Sequence, residues 1–156
     1  MLCQFVSGMI PEFDRSGLLP EGIHWTDMLA IHKRYCRNSL RLRLFGGLER
    51  GLIALRDAGC QTVYLNGSFI TAKEYPADYD LCWDPMGVKL AALDPVFLDF
   101  SNRRAAQKAK YFGEFFPADS RAERNSPFRT FLNFFQTDKA TGNKKGIIGI
   151  NIHVRV

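Results

Sequence analysis

No stretch of the sequence approaches the ~20 consecutive apolar residues that a membrane-spanning helix needs, so no membrane association is expected. The run from Met1 to Pro11 is only briefly apolar and has no basic start; it lacks the form of a secretory signal, and the expected compartment is cytoplasmic. Histidine is scarce: His24, His32 and His153 are scattered, so no Ser-His-Asp arrangement can be assigned. The four cysteines (Cys3, Cys36, Cys60, Cys82) form no C-x-x-C pair, and none has a histidine at zinc-ligand spacing. Free thiols in a reducing compartment are expected instead. Acidic residues thin out toward the end. Residues 1–100 hold 10 basic and 12 acidic groups, whereas residues 101–156 hold 11 and 4. Such asymmetry marks either a polyanion-facing surface or ordinary solvated helices. Repeats, low-complexity tracts and linker-like stretches are absent, so residues 1–156 are expected to form one domain.

What is present is material for a core. The chain has 156 residues, 46% of them hydrophobic, and 13 are Phe, enough to fold without disulfide or metal staples. Residues 1–25 are punctuated by Pro and Gly and read as an irregular arm, with a turn and a short extended piece near 17–22. Thr26 is a plausible N-cap for a helix over 27–36, and Ser39 for one over 40–58. In the latter, Leu44, Phe45, Leu48, Leu52 and Leu55 recur at helical spacing, and Gly59 ends it. Gln61–Asn66 and Tyr79–Trp83 read as strands, separated by so little chain that they most easily pair as antiparallel neighbours. Ser101–Lys110 is helix-prone, and Gly113–Phe116 is a short strand. Ser126-Pro127 opens a helix to Phe135 with Phe128, Phe131, Leu132 and Phe135 on its apolar face. Ile147–Val156 alternates as a final strand, with Ile148, Ile150, Ile152 and Val154 on one side. The fold class is α+β, a small mixed sheet backed by helices.

The chemistry is concentrated in residues 65–83. A strand runs into Gly67-Ser68, where glycine admits backbone amides close to a phosphate and the Ser hydroxyl donates to its oxygens. Asp78 and Asp80, two apart at a strand start, share a face and repel unless a cation lies between them; oxygen ligands of this kind suit Mg²⁺. Taken singly, a Gly-Ser pair is usually a turn and a D-x-D pair usually a solvated edge. Their coincidence, each tied to a strand, is the informative point. Two basic clusters, Lys33/Arg34/Arg37/Arg41/Arg43 and Arg103/Arg104/Lys108/Lys110, read either as solvated helix faces or as contacts to nucleic acid or a triphosphate. The Phe residues at 128, 131, 134 and 135 read as core rather than as a base-stacking platform, since their helical spacing already accounts for them.

Asn66-Gly67-Ser68, the spacer, and Asp78-Tyr79-Asp80 resemble the signature of the DNA-polymerase-beta-like nucleotidyltransferase superfamily. The chain is also similar to a group of minimal bacterial nucleotidyltransferase-like proteins, through Leu19–Trp25, Val63–Phe69, Asp78–Asp84, Leu98–Ser101, Ala105–Lys110 and the stretch from Phe134 to Ile147. The resemblance implies transfer of a nucleoside monophosphate from a nucleoside triphosphate to an acceptor, RNA (such as tRNA) or protein, with Mg²⁺ or Mn²⁺. It implies Asp78 and Asp80 as metal ligands, Ser68 on a terminal phosphate, and Lys73 near the leaving group. The superfamily's third carboxylate is expected on the final strand, where Asn151 stands instead as the candidate third metal ligand, through an amide oxygen that brings no charge; Asp84, Asp99 and Asp138 are possible substitutes but lack the strand context. The alternative that the same resemblance implies is a weak or inactive interaction protein, such as the toxin or antitoxin of a toxin–antitoxin pair.

Overall fold

A computed structural model describes residues 8–153. A five-stranded mixed sheet is its centre, in the order β1-β5-β2-β3-β4. The strands are β1 (Gly22–Thr26), β2 (Thr62–Asn66), β3 (Tyr79–Trp83), β4 (Gly113–Pro117) and β5 (Gly146–Asn151). β2 is antiparallel to both β3 and β5, while β1 runs parallel to β5 and β4 parallel to β3. Four helices accompany the sheet: α1 (Met28–Tyr35), α2 (Ser39–Asp57), α3 (Ser101–Tyr111) and α4 (Phe131–Phe135). This is the expected α+β architecture. No helix among the described residues is long and apolar enough to cross a membrane.

Strand alternation divides the side chains between two faces. Val63 and Leu65 of β2, Tyr79, Leu81 and Trp83 of β3, Phe115 of β4, and Ile148 and Ile150 of β5 enter the large core. That core also takes Ile31 and Tyr35 of α1 and the α2 stripe Leu44, Phe45, Leu48, Leu52 and Leu55, so these helices cover this face. The opposite face carries a smaller cluster, Cys82, Ala118, Phe135 and Ile147, flanked by Phe116, Phe131 and Phe134. Short α4 and the irregular segment before it cover only part of that face.

Several local expectations change. The arm assigned to residues 1–25 yields its end to β1, which gains a full parallel register with β5 from Gly22↔Gly146 to Thr26↔Ile150. Thr26 is therefore a strand residue. The N-cap of α1 is Asp27, whose carboxylate accepts from the Ala30 amide, and that of α2 is Asn38, accepting from the Arg41 amide. The helix expected from Pro127 starts only at Phe131, because Thr130 caps it and the preceding residues fold back: the Phe131 amide donates to Ser120 O, and the Ala122 amide to Arg129 O. Phe128 consequently leaves the core, is 51% exposed, and lies against the Arg121 guanidinium. β5 ends at Asn151; Val154 and the rest of the expected strand, like Cys3, lie outside the described residues. Cys36, Cys60 and Cys82 are free thiols.

Candidate functional site

One row of polar side chains crosses the otherwise apolar second face. Asn66, the last residue of β2, pairs in register with Asp80 of β3, and Asp80 with Glu114 of β4. Their strand neighbours Leu65, Leu81 and Phe115 point into the large core, so these three point the other way. At one end of the row the Lys145 ammonium donates to Asn66 Oδ1 at 2.8 Å. At the other, Arg104 and Lys108 of α3 hold Glu114 at 3.0 and 3.1 Å.

The Gly67-Ser68 turn sits directly over Asp80. Gly67 has φ 87° and ψ −174°, a conformation that side-chain-bearing residues scarcely adopt. A Cβ there would lie 2.9 Å from Asp80 Oδ2. Gly67→Ala is thus expected to cost about 2 kcal/mol through backbone strain and to push the carboxylate aside. Urea unfolding beside a crystal structure of the variant checks this; an unchanged midpoint with Asp80 in place contradicts it.

The turn is fixed from behind. Arg41 is fully buried, and its guanidinium donates to the carbonyls of Tyr35, Phe69, Thr71, Lys73 and Glu74. Arg37 adds bonds to Ala72 O and Lys73 O, and Asn38 one to Glu74 O. Much of the first basic cluster therefore binds the chain's own loop rather than a ligand. Arg43 lies over the Phe112 ring.

Electrostatics follow from the crowding of acids on a partly dry face. Burial, a hydrogen bond to Glu114 and the charges of Glu114 and Asp78 push the Asp80 carboxyl up to about 7. Burial works against ionised Glu114 too, but hydrogen bonds from Asp80, Lys108 and Arg104 overcome it and hold its pKa below the ordinary range. Burial and acidic neighbours thus favour the protonated form of Asp80 beside an ionised Glu114. Burial and the Glu114 charge also raise Asp78, which lies just outside β3. Burial lowers Lys145, with Asp80 and Asp138 opposing.

These groups line a cleft of about 490 Å³, within the ~300–1,000 Å³ typical of small-molecule sites. Asn66, Gly67, Ser68, Asp80 and Glu114 form its floor; Lys139, Lys145 and Arg104 supply positive charge; Phe116, Phe131, Phe134 and Phe135 form an aromatic side.

Of the residues expected from sequence, Gly67, Ser68 and Asp80 meet in this cleft. Three do not line it: Asp78, Lys73 and Asn151. Asp78 lies just outside β3, within electrostatic reach of Glu114. Asn151 pairs with Thr62 at the far end of β2, four strand positions from the Asn66 end, and its Oδ1 lies 2.6 Å from His153 Nδ1. The antiparallel run of β5 carries it away from the acids, so it is no ligand. Lys73 does not line the cleft; its backbone is what the fold uses. Asp84 and Asp99 accept bonds from nearby loop and helix-start amides, those of Met86 and Ser101. Asp138 does reach the cleft but is engaged by Thr141. The acid that faces Asp80 across the sheet is Glu114, marked in the sequence only as a lone acid inside the apolar strand Gly-Glu-Phe-Phe. Lys145, beside Asn66, has no local signal at all.

Among the described residues, no group of three or more His, Cys, Asp or Glu is gathered to hold an ion. Two facing carboxylates do suit an ion that arrives with its own phosphate ligands, as Mg²⁺ commonly does.

Comparison with known proteins is brief. No curated protein and no solved structure matches the chain. The profile of a family of unknown function, DUF6932, matches residues 11–151. The chain belongs to the DUF6932 family.

Proposed function

We propose that the chain is a metal-dependent nucleotidyltransferase, moving a nucleoside monophosphate from a triphosphate to RNA, such as tRNA, or to a protein. The observation that carries this reading is the close packing of Gly67 on Asp80, with Ser68, Glu114 and three basic side chains lining the same cleft. Ser68 and the turn's amides would bind the terminal phosphates, with Lys145 and Lys139 neutralising them in the role first given to Lys73. Asp80 and Glu114 would hold a Mg²⁺ or Mn²⁺ ion, with Asp78 adding negative charge beside them. Such an ion polarises the phosphoryl group and clamps attacking and leaving oxygens. Taking it up requires the proton to leave Asp80 and Glu114 to give up part of its grip on Arg104. A cytoplasmic setting, where triphosphates are available, fits this reading.

The salt bridges to Glu114 favour a second reading. Here Arg104 and Lys108 neutralise the acids permanently, and the chain is a non-catalytic module such as a toxin or antitoxin component. Titration calorimetry with ATP, with and without Mg²⁺, and transfer of α-labelled triphosphates to RNA or protein separate the two. For the enzyme, Mg²⁺ should tighten ATP binding about tenfold, or about 1.4 kcal/mol, an increment that Asp80→Asn should abolish. Binding indifferent to Mg²⁺ and to this variant, with no labelled product, would favour the interaction module.

A further inference from the structure

Three of the four rings on the aromatic side of the cleft are already engaged with one another. Phe116 stacks on Phe131 at 4.3 Å, and Phe135 meets both edge-on. Phe134 makes no ring–ring contact among the described residues. It packs at the margin of the smaller apolar cluster, and two cations approach its ring: the Arg129 guanidinium lies 5.2 Å from its centre and the Lys139 ammonium 5.6 Å. It is half-buried and lines the cleft that holds Ser68 and Asp80. Lys139 links the two ends, since its charge also acts on Asp80.

We infer that Phe134 is the platform on which a nucleobase stacks, with Lys139 turning from the ring toward the phosphates. This rests on the triphosphate reading above and adds the substrate's other half. An aromatic face beside a polar floor flanked by Arg104, Lys139 and Lys145 matches a molecule that is a flat ring at one end and a polyanion at the other. Near the ring, the polar side chains of the cleft are few. Asp138 is taken up by its bonds to Thr141. Stacking without edge-reading accepts every base, so the four triphosphates should bind with similar affinity.

The test compares ATP, GTP, CTP and UTP with inorganic tripolyphosphate, all with Mg²⁺, by calorimetry on the full chain. Each nucleotide should bind about tenfold more tightly than tripolyphosphate, the usual scale for one stacked base. Phe134→Leu should remove that advantage while leaving tripolyphosphate binding unchanged, and Phe134→Trp should keep it. Nucleotides no tighter than tripolyphosphate would overturn the inference, as would a Phe134→Leu variant that retains the advantage. Selection of one base by more than about tenfold would overturn the stacking-only account. If neither ligand class binds, the triphosphate reading itself falls, and the base platform with it. Thermal melts of both variants show whether they are folded.

Discussion

Arg41→Met should lower the stability of the chain by about 3–5 kcal/mol, the range expected when a buried charged donor that serves several backbone acceptors is removed. Five backbone carbonyls converge on this one guanidinium, from the end of α1 and the loop after the Gly67-Ser68 turn. Methionine fills much of the same space but donates nothing, so those carbonyls lose their partner. Lysine should recover little, since a single ammonium cannot reproduce the planar fork. Urea unfolding measures the loss, and hydrogen exchange should show amides of residues 69–74 opening first. A change under 1 kcal/mol would mean that the loop satisfies its own carbonyls and that Arg41 is dispensable.

Stability should fall as pH rises from about 5 to about 8. Asp80 holds its proton up to about 7, well above the ~3.9 of an unfolded aspartic acid. Over that window the folded chain binds more protons than the unfolded one. The contribution is therefore complete below the unfolded value and is lost as pH climbs through the folded one. Its size is on the order of 2 kcal/mol once the solvent reaching the cleft is allowed for. Glu114, lowered in the fold, works in the opposite sense and is felt only as pH falls through and below the ordinary glutamate range. Urea midpoints across this range measure the slope, and Asp80→Asn should flatten it. A wild-type slope as flat as the variant's would show that Asp80 is not held protonated in the fold.

Local patterns in the sequence carried most of the fold. The α2 stripe, the β2 and β3 strands, and the antiparallel pairing forced by the short connection between them all appear in the structure. Gly67 and Asp80 were legible for the same reason: both lie within one hairpin, where sequence spacing limits geometry. Glu114 was not. It reaches Asp80 through a parallel pairing across 34 positions, and no local signal sets that register. Asn151 failed as a third ligand for a related cause. Its strand was identified, but its direction relative to β2 puts it at the wrong end. Arg41 looked like one more solvated base in a charged stretch, because burial by a distant loop leaves no local trace. The helix placed at Pro127 shows a capping threonine prevailing over a proline start.

The strand order has a further consequence, for how the chain reaches its native state. β5 is the last strand in sequence, yet it sits between β1 and β2, so both remain without their partner until it arrives. A nascent polypeptide leaving the ribosome can form the β2–β3 hairpin early, but β1 waits for residues more than a hundred positions downstream. Assembly should therefore be a late, single insertion that zips both edges at once. Until then the exposed flanks of β1 and β2 are the surfaces a chaperone would have to guard.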